Sequence, residues 1–285
     1  MAHVPAERCL AIIELLAEDA ETHPLGEIAE ALDLPKSGAH RLLTTLCELG
    51  WAEQDPETSF YRLTMRLATL GQKFYAATGI PDICQPLLDT LARESREFAR
   101  LAVVDGHSLV WVAHAQGAQS GLVYQPSLAT NTVPLAVTAS GKAWLATFAD
   151  DRALEYVRAN GGFDHADRYG PNATRSASAF LRELAATARR GYGLAMSEAE
   201  PGVTAIAAAI RVGAGGHALG TVSVAGPSVR MTDARVAALA PLVVRCASKL
   251  AELWHLRRLG RPGEPSAAAP ASTAEAALGT GVTSP

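Results

Sequence analysis

Apolar positions in the first eighty residues repeat with a helical period three times and then change to short alternating runs. Residues 7–18 put Leu10, Ile13, Leu16 and Ala17 on one face, and residues 25–32 do the same with Leu25, Ile28, Ala29 and Leu32. Asp33-Leu34-Pro35 breaks the second segment. Over residues 36–49 the two faces separate fully: Ala39, Leu42, Leu43, Leu46 and Leu49 on one side, Ser37, His40, Arg41, Thr44 and Thr45 on the other. Ser37 stands where an N-cap would satisfy free backbone N–H groups. Residues 51–54 and 60–63 then flank the polar turn Asp55-Pro56-Glu57-Thr58-Ser59, a hairpin pattern. Three helices followed by a hairpin predict a winged helix-turn-helix, with the third helix in the DNA major groove and the hairpin against the backbone.

Residues 64–78 continue as a helix, and Gly79-Ile80-Pro81 punctuates the chain. Beyond it the pattern predicts helices over 80–98, 141–148, 151–159, 178–190 and 232–259. Strands are expected over 100–104, 109–115, 121–124, 133–137, 205–212 and 218–225, with turns at Asp105-Gly106-His107 and Gly213-Ala214-Gly215-Gly216. Hairpins framed by helices predict an antiparallel sheet with helices packed on it, an α+β domain. The final stretch, 261–285, is mostly Pro, Ala, Ser, Thr and Gly. It is expected to be a disordered tail, because it cannot offset its ordering entropy by burial.

Composition narrows the class. The 285 residues are 48% hydrophobic, which is enough for real cores. No apolar run spans a membrane, and no basic segment precedes an apolar one at the N-terminus, so no secretory signal is expected. Cys9, Cys47, Cys84 and Cys246 lie far apart, which fits a reducing cytoplasm and neither a zinc site nor a disulfide framework.

The net charge of −4 argues against a nucleic-acid binder when taken whole. Splitting it deepens the difficulty, since residues 1–80 carry six basic and twelve acidic side chains. Position resolves it. Glu14, Glu18, Glu21, Glu27 and Glu30 belong to the first two helices and their connection, whereas Lys36, Arg41, Arg62 and Arg66 gather on or near the proposed groove side. With a Debye length of ~8 Å, phosphates feel mainly the latter. Lys36, Ser37, His40, Arg41, Thr44 and Thr45 are therefore the candidate base and phosphate contacts, with Tyr61 and Arg62 of the hairpin on the backbone.

Enzymatic patterns are lacking. Ser140-Gly141-Lys142 suggests a phosphate loop, but that motif needs Gly at 136 and Ser or Thr at 143, and both are Ala. There is no G-x-S-x-G elbow and no H-E-x-x-H. No catalytic residue, metal or cofactor is expected.

The segments Leu34-Pro35-Lys36-Ser37-Gly38-Ala39-His40-Arg41-Leu42-Leu43, Leu49-Gly50-Trp51 and Asp55-Pro56-Glu57-Thr58-Ser59-Phe60-Tyr61-Arg62-Leu63 resemble the DNA-binding domain of IclR-type bacterial transcriptional regulators. The resemblance extends over about residues 7–258. It includes Pro134 to Ala143, Arg190-Gly191-Tyr192-Gly193, Glu198-Ala199-Glu200-Pro201-Gly202-Val203 and Ser223-Val224-Ala225-Gly226-Pro227. It implies a DNA-binding domain over 5–64, a linker helix over 65–80 that helps dimerise and a GAF-like effector domain over 81–259, and composition leaves 260–285 as the disordered tail. It also implies a homodimer or homotetramer on double-stranded operator DNA, acting as a repressor.

Effector contacts implied by the resemblance are Ala139, Ser140, Gly141, Ala195, Val203, Ala205, Ser223 and Ala225. Alanine stands at 195, 205 and 225 where the family often has an acid, a Cys and a Ser. Burying a highly charged effector against alanines would leave its groups unpaired. An apolar or aromatic catabolite is therefore expected, oriented by Ser223 and the 139–141 backbone. A regulator switched by oligomerisation alone is the other reading, and a GAF-type enzyme a third.

Overall fold

The computed structural model describes residues 4–18, 21–126, 131–163, 166–213 and 218–259. The expected tail and most of the expected turn at 213–216 lie outside the described residues. The chain divides into two compact units between Asp82 and Ile83.

The first unit contains α1 (Val4–Leu16), α2 (Leu25–Ala31), α3 (Lys36–Glu48), β1 (Ala52–Gln54), β2 (Tyr61–Leu63) and α4 (Arg66–Thr78). Ile12, Leu16, Ile28, Leu43, Leu46, Ala52 and Tyr61 form its core. The inward stripe of α1 runs through Cys9, Ile12, Ile13 and Leu16, while Leu10 is exposed. β1 and β2 pair antiparallel with Glu53 opposite Arg62. The other edge of β2 is closed by a bridge in which His23 and Tyr61 exchange two backbone hydrogen bonds of 2.8 Å. α4 has no buried residue and exposes Leu67, Leu70 and Phe74.

α5 (Ile80–Ser95) leads into the second unit, followed by β3 (Phe98–Asp105), β4 (Ser108–Gln116), α6 (Ala139–Leu145), α7 (Asp150–Ala159), α8 (Ala177–Arg190), β5 (Gly193–Met196), β6 (Val203–Arg211), β7 (Ala218–Pro227) and α9 (Asp233–Leu259). The sheet is antiparallel throughout, in the order β4-β3-β7-β6-β5. The expected α+β class is what the structure has. Alternation sorts β6 into two faces. Ala205 and Ala207 pack toward α6, in a cluster with Ala139, Ala143 and Ala195. Ile206, Ala208 and Ile210 point the opposite way and are buried, and α9 lies along β6 and β7.

Residues 121–124 and 133–137 are not strands. In the second run Val133, Leu135 and Val137 are buried in the core as irregular chain. Pro134 has no N–H to give a ladder, and its carbonyl accepts from the Thr138 hydroxyl at 2.8 Å. β5 was not expected, since Gly193-Leu194-Ala195-Met196 carries little β signal. Gly193 belongs there for packing reasons: a Cβ at this position would overlap the Ala139 carbonyl of α6.

Candidate nucleic-acid interface and effector cavity

Pro35, not Ser37, is the N-cap of α3, and no side chain caps it. Ser37 is the second helical residue and free to face outward. Burial of Ala39, Leu43 and Leu46 fixes the roll of the helix. Lys36, Ser37, His40, Arg41, Thr44 and Thr45 are consequently all exposed on one face. The Lys36, His40 and Arg41 side chains make no hydrogen bond or ion pair among the described residues. Thr44 and Thr45 donate their hydroxyls back to the His40 and Arg41 carbonyls at 2.9 and 3.1 Å. What they offer outward is an acceptor oxygen and a methyl group, suited to base amino groups and thymine methyls. Leu49, expected on the apolar face, follows the helix as its C-cap and is 55% exposed.

The hairpin corrects one expected contact. Tyr61 is only 2% exposed and belongs to the core, so it cannot hold a DNA backbone. Strand alternation explains this: Tyr61 and Leu63 turn inward, and Arg62 turns out. Burial raises the Tyr61 phenol above its usual range. Arg62 is exposed and bonded through Nε to Glu53 Oε1 at 2.6 Å. Arg66 is engaged within the unit. Its Nη1 donates to the Leu49 carbonyl at 2.8 Å and its guanidinium lies 5.1 Å from the Trp51 ring centre.

In the second unit a cavity of about 70 Å³ lies between α6 and the alanine-paved face of the sheet. Ala139, Ser140, Ala195, Val203, Ala205, Ser223 and Ala225 line it. Gly141 does not. Its N–H is taken by the Thr138 hydroxyl at 3.0 Å, and a Cβ there would overlap the Leu135 carbonyl, so its role is close packing.

Five polar lining residues were not among the expected contacts: Arg100, Trp111, Tyr124, Thr138 and Glu200. Arg100 is opposite Ser223 across β3 and β7, so both project from the same sheet face. Trp111 arrives there through a β-bulge: Leu101 faces Ala113, but Ala102 faces Trp111, so Val112 is skipped. Arg100 lies 4.2 Å from the Trp111 ring centre and 5.2 Å from that of Phe98. Tyr124 donates its hydroxyl to Glu200 at 2.7 Å. Burial and that bond hold the Tyr124 phenol protonated, far above its usual range. Burial also pulls Arg100 downward, opposed by Tyr124 and Glu200, and a guanidinium so placed stays charged. A charged residue at the head of the apolar run Leu101 to Val104 was a readable signal for Arg100. Nothing in the sequence announced the bulge.

Among the described residues no group of His, Cys, Asp and Glu is placed to hold a metal, and no helix is long and apolar enough to cross a membrane.

A solvent-facing recognition helix with a wing, carried on one chain with a cavity-bearing α+β unit, defines a DNA-binding regulator with a ligand-sensing domain. The chain belongs to the IclR family: it matches the family's helix-turn-helix domain over residues 5–56 and the domain described as "Bacterial transcriptional regulator IclR C-terminal" over residues 72–252. It is 31% identical to the HTH-type transcriptional regulator BhcR of Paracoccus denitrificans, covering 86% of this chain and 85% of that one. It is 27% identical to the transcriptional repressor IclR of Escherichia coli, covering 85% and 87%. In fold it is similar to an IclR homologue from Microbacterium hydrocarbonoxydans crystallised with 4-hydroxybenzoate, with a TM-score of 0.69 at 22% identity over 88% of this chain and 99% of that one.

Proposed function

We propose that this chain is a repressor acting in the cytoplasm that binds a pseudo-palindromic operator as a homodimer or homotetramer, and that a small-molecule effector in the α6–sheet cavity alters operator affinity. The division of labour proposed is DNA binding by residues 5–64, a linker over 65–80 and effector sensing by 81–259. The observation that carries it is the pairing of two features in one chain. One is an exposed α3 face whose Lys36, His40 and Arg41 have no partner among the described residues. The other is a cavity lined by buried polar groups. Lys36, Ser37, His40, Arg41, Thr44, Thr45 and Arg62 are the proposed DNA contacts. The apolar walls favour an effector with a hydrocarbon or aromatic body, the class to which the 4-hydroxybenzoate bound by the Microbacterium homologue belongs. The switch requires that the effector bind the DNA-competent and incompetent arrangements with different affinity.

The test is an anisotropy titration on the DNA flanking the protein's own gene, repeated over salt and with a catabolite library. Saturable, salt-dependent binding that one class of compound shifts supports the reading. Specific operator binding that no compound shifts, with oligomeric state controlling affinity, would favour a regulator without an effector.

A further inference from the structure

We infer that a second ligand site lies in the groove bounded by the C-terminus of α5, the start of α9 and residues 117–120, and that it receives the phosphoryl group of a small phosphorylated metabolite. The groove shares no lining residue with the α6–sheet cavity, so the inference does not depend on reading that cavity as the effector site.

The groove holds about 700 Å³, within the span of about 300–1,000 Å³ typical of small-molecule sites. Arg93, Arg96, Arg230 and Arg235 line it, and among the described residues Glu97 is the one carboxylate that does. Glu97 is committed to Arg230: its two oxygens accept from Nε and Nη2 at 2.8 Å each, and Nη1 of the same arginine donates to the Leu122 carbonyl. Arg235 gives one N–H to the Ser95 carbonyl at 2.7 Å, and Arg93 gives one to the Thr90 hydroxyl at 3.2 Å, so the other donors of each remain open. Arg96 is exposed, and its side chain makes no hydrogen bond or ion pair among the described residues. Three guanidinium charges thus line the groove without a carboxylate, against about half a negative charge from the α5 C-terminus.

Two backbone features set these groups in place. Arg96 follows the last residue of α5 with a φ of +55°, the left-handed conformation that a helix end usually gives to glycine. A long cation held there adds no contact to the fold, and strain of this kind clusters at ligand sites. Gly117 approaches α5 so closely that a Cβ would overlap the Ala92 carbonyl, and its N–H donates to the Glu97 carbonyl at 3.1 Å. That contact seats Gln119 and Ser120 in the groove wall, where both are exposed and their side chains add neutral donors. A phosphoryl group brings about two negative charges and three acceptor oxygens, and the arginine fork fits its geometry. A single carboxylate brings half that charge.

Calorimetric titration of the full chain with pyrophosphate, ADP, adenosine and citrate tests this. Pyrophosphate or ADP is expected to bind at one site per chain and to weaken as salt rises. Adenosine should not bind, and citrate should bind at least about 10-fold more weakly than the phosphorylated probe. Arg96→Gly should weaken that probe about 10- to 100-fold while the melting temperature holds or rises, because glycine suits the backbone there. Lost affinity in an equally stable protein is a result that a merely structural arginine would not give. Arg93→Gln should weaken the probe as well. No binding by either phosphorylated probe, citrate as tight as either, or full affinity in Arg96→Gly would each overturn the assignment. The salt slope of operator binding should be the same in Arg96→Gly as in the parent. A flatter slope would give the groove to the DNA backbone and overturn the metabolite site.

Discussion

Lys142 and Glu198 form a buried clamp: the ammonium lies 2.6 Å from both carboxylate oxygens. Lys142 is 1% exposed and also donates to the Leu194 carbonyl at 2.8 Å. Burial raises the Glu198 carboxyl, and Lys142 opposes that shift. The clamp ties α6, which brings Ala139 and Ser140 to the cavity, to the segment that brings Ala199 and Glu200. Removing one partner of such a pair leaves the other charge buried and unpaired. Lys142→Met should therefore cost about 3–5 kcal/mol, measured as a lower urea midpoint with an unchanged slope. Adding Glu198→Leu should recover much of it. A single variant as stable as the parent would mean the clamp is dispensable.

Arg66, which the sequence puts on or near the groove side, serves the wing. It satisfies a carbonyl at the α3 C-terminus and stacks on Trp51. Arg66→Ala should destabilise the protein by about 1 kcal/mol and leave the salt dependence of operator binding unchanged. Arg41→Ala should do the reverse, weakening specific operator binding by about 1–3 kcal/mol if Arg41 reads a base, with no change in melting temperature. Thermal melts beside anisotropy titrations distinguish the two residues. A lowered salt slope in Arg66→Ala would return it to the interface.

These contrasts mark what the sequence could and could not disclose. The α3 face was legible because a 3.6-residue period sorts buried from exposed positions without any tertiary information. Tyr61 was misread because two-residue alternation gives two faces but not which one is covered. The bridge to His23 and the core beneath β2 settle that. The alanine wall was legible through family resemblance. Arg100 could be seen only as a charge at the head of an apolar run, and Trp111 and the Tyr124–Glu200 bond were not legible, because they depend on a bulge and a contact across 76 positions. β5 escaped because its glycine answers to α6 packing, not to strand propensity.

The wing turn should be sensitive to acid. Asp55 Oδ1 accepts from the Glu57 and Thr58 N–H groups at 2.9 and 2.8 Å and from the Thr58 hydroxyl at 3.0 Å. These bonds favour the carboxylate and lower its pKa below the usual range. A depressed folded pKa means that the contribution to stability is fully present above the unfolded value and is lost as pH falls through the folded one. The Glu57 and Thr58 amide resonances should therefore hold steady on acidification until below the ordinary Asp range and then move together. Asp55→Ala should abolish the step. A midpoint at or above the ordinary Asp value would contradict this.

Arg62 and Glu53 face each other across the hairpin at 2.6 Å, both about half exposed. An exposed pair of this kind contributes little to stability, about 0–1 kcal/mol. Its larger effect is on DNA, since a phosphate approaching Arg62 competes with Glu53 and is repelled by it. Glu53→Gln should leave the melting temperature nearly unchanged and tighten operator binding at low salt. Each phosphate neutralised adds about 0.9 to the slope of log affinity against log salt. If Arg62 makes its contact only weakly in the parent, Glu53→Gln should therefore steepen the slope by up to about one, and Arg62→Ala should flatten it. In the double variant the Glu53→Gln gain should vanish, because the residue it frees is gone. Equal gains with and without Arg62 would show that Glu53 acts by general repulsion, and Arg62 would leave the set of DNA contacts.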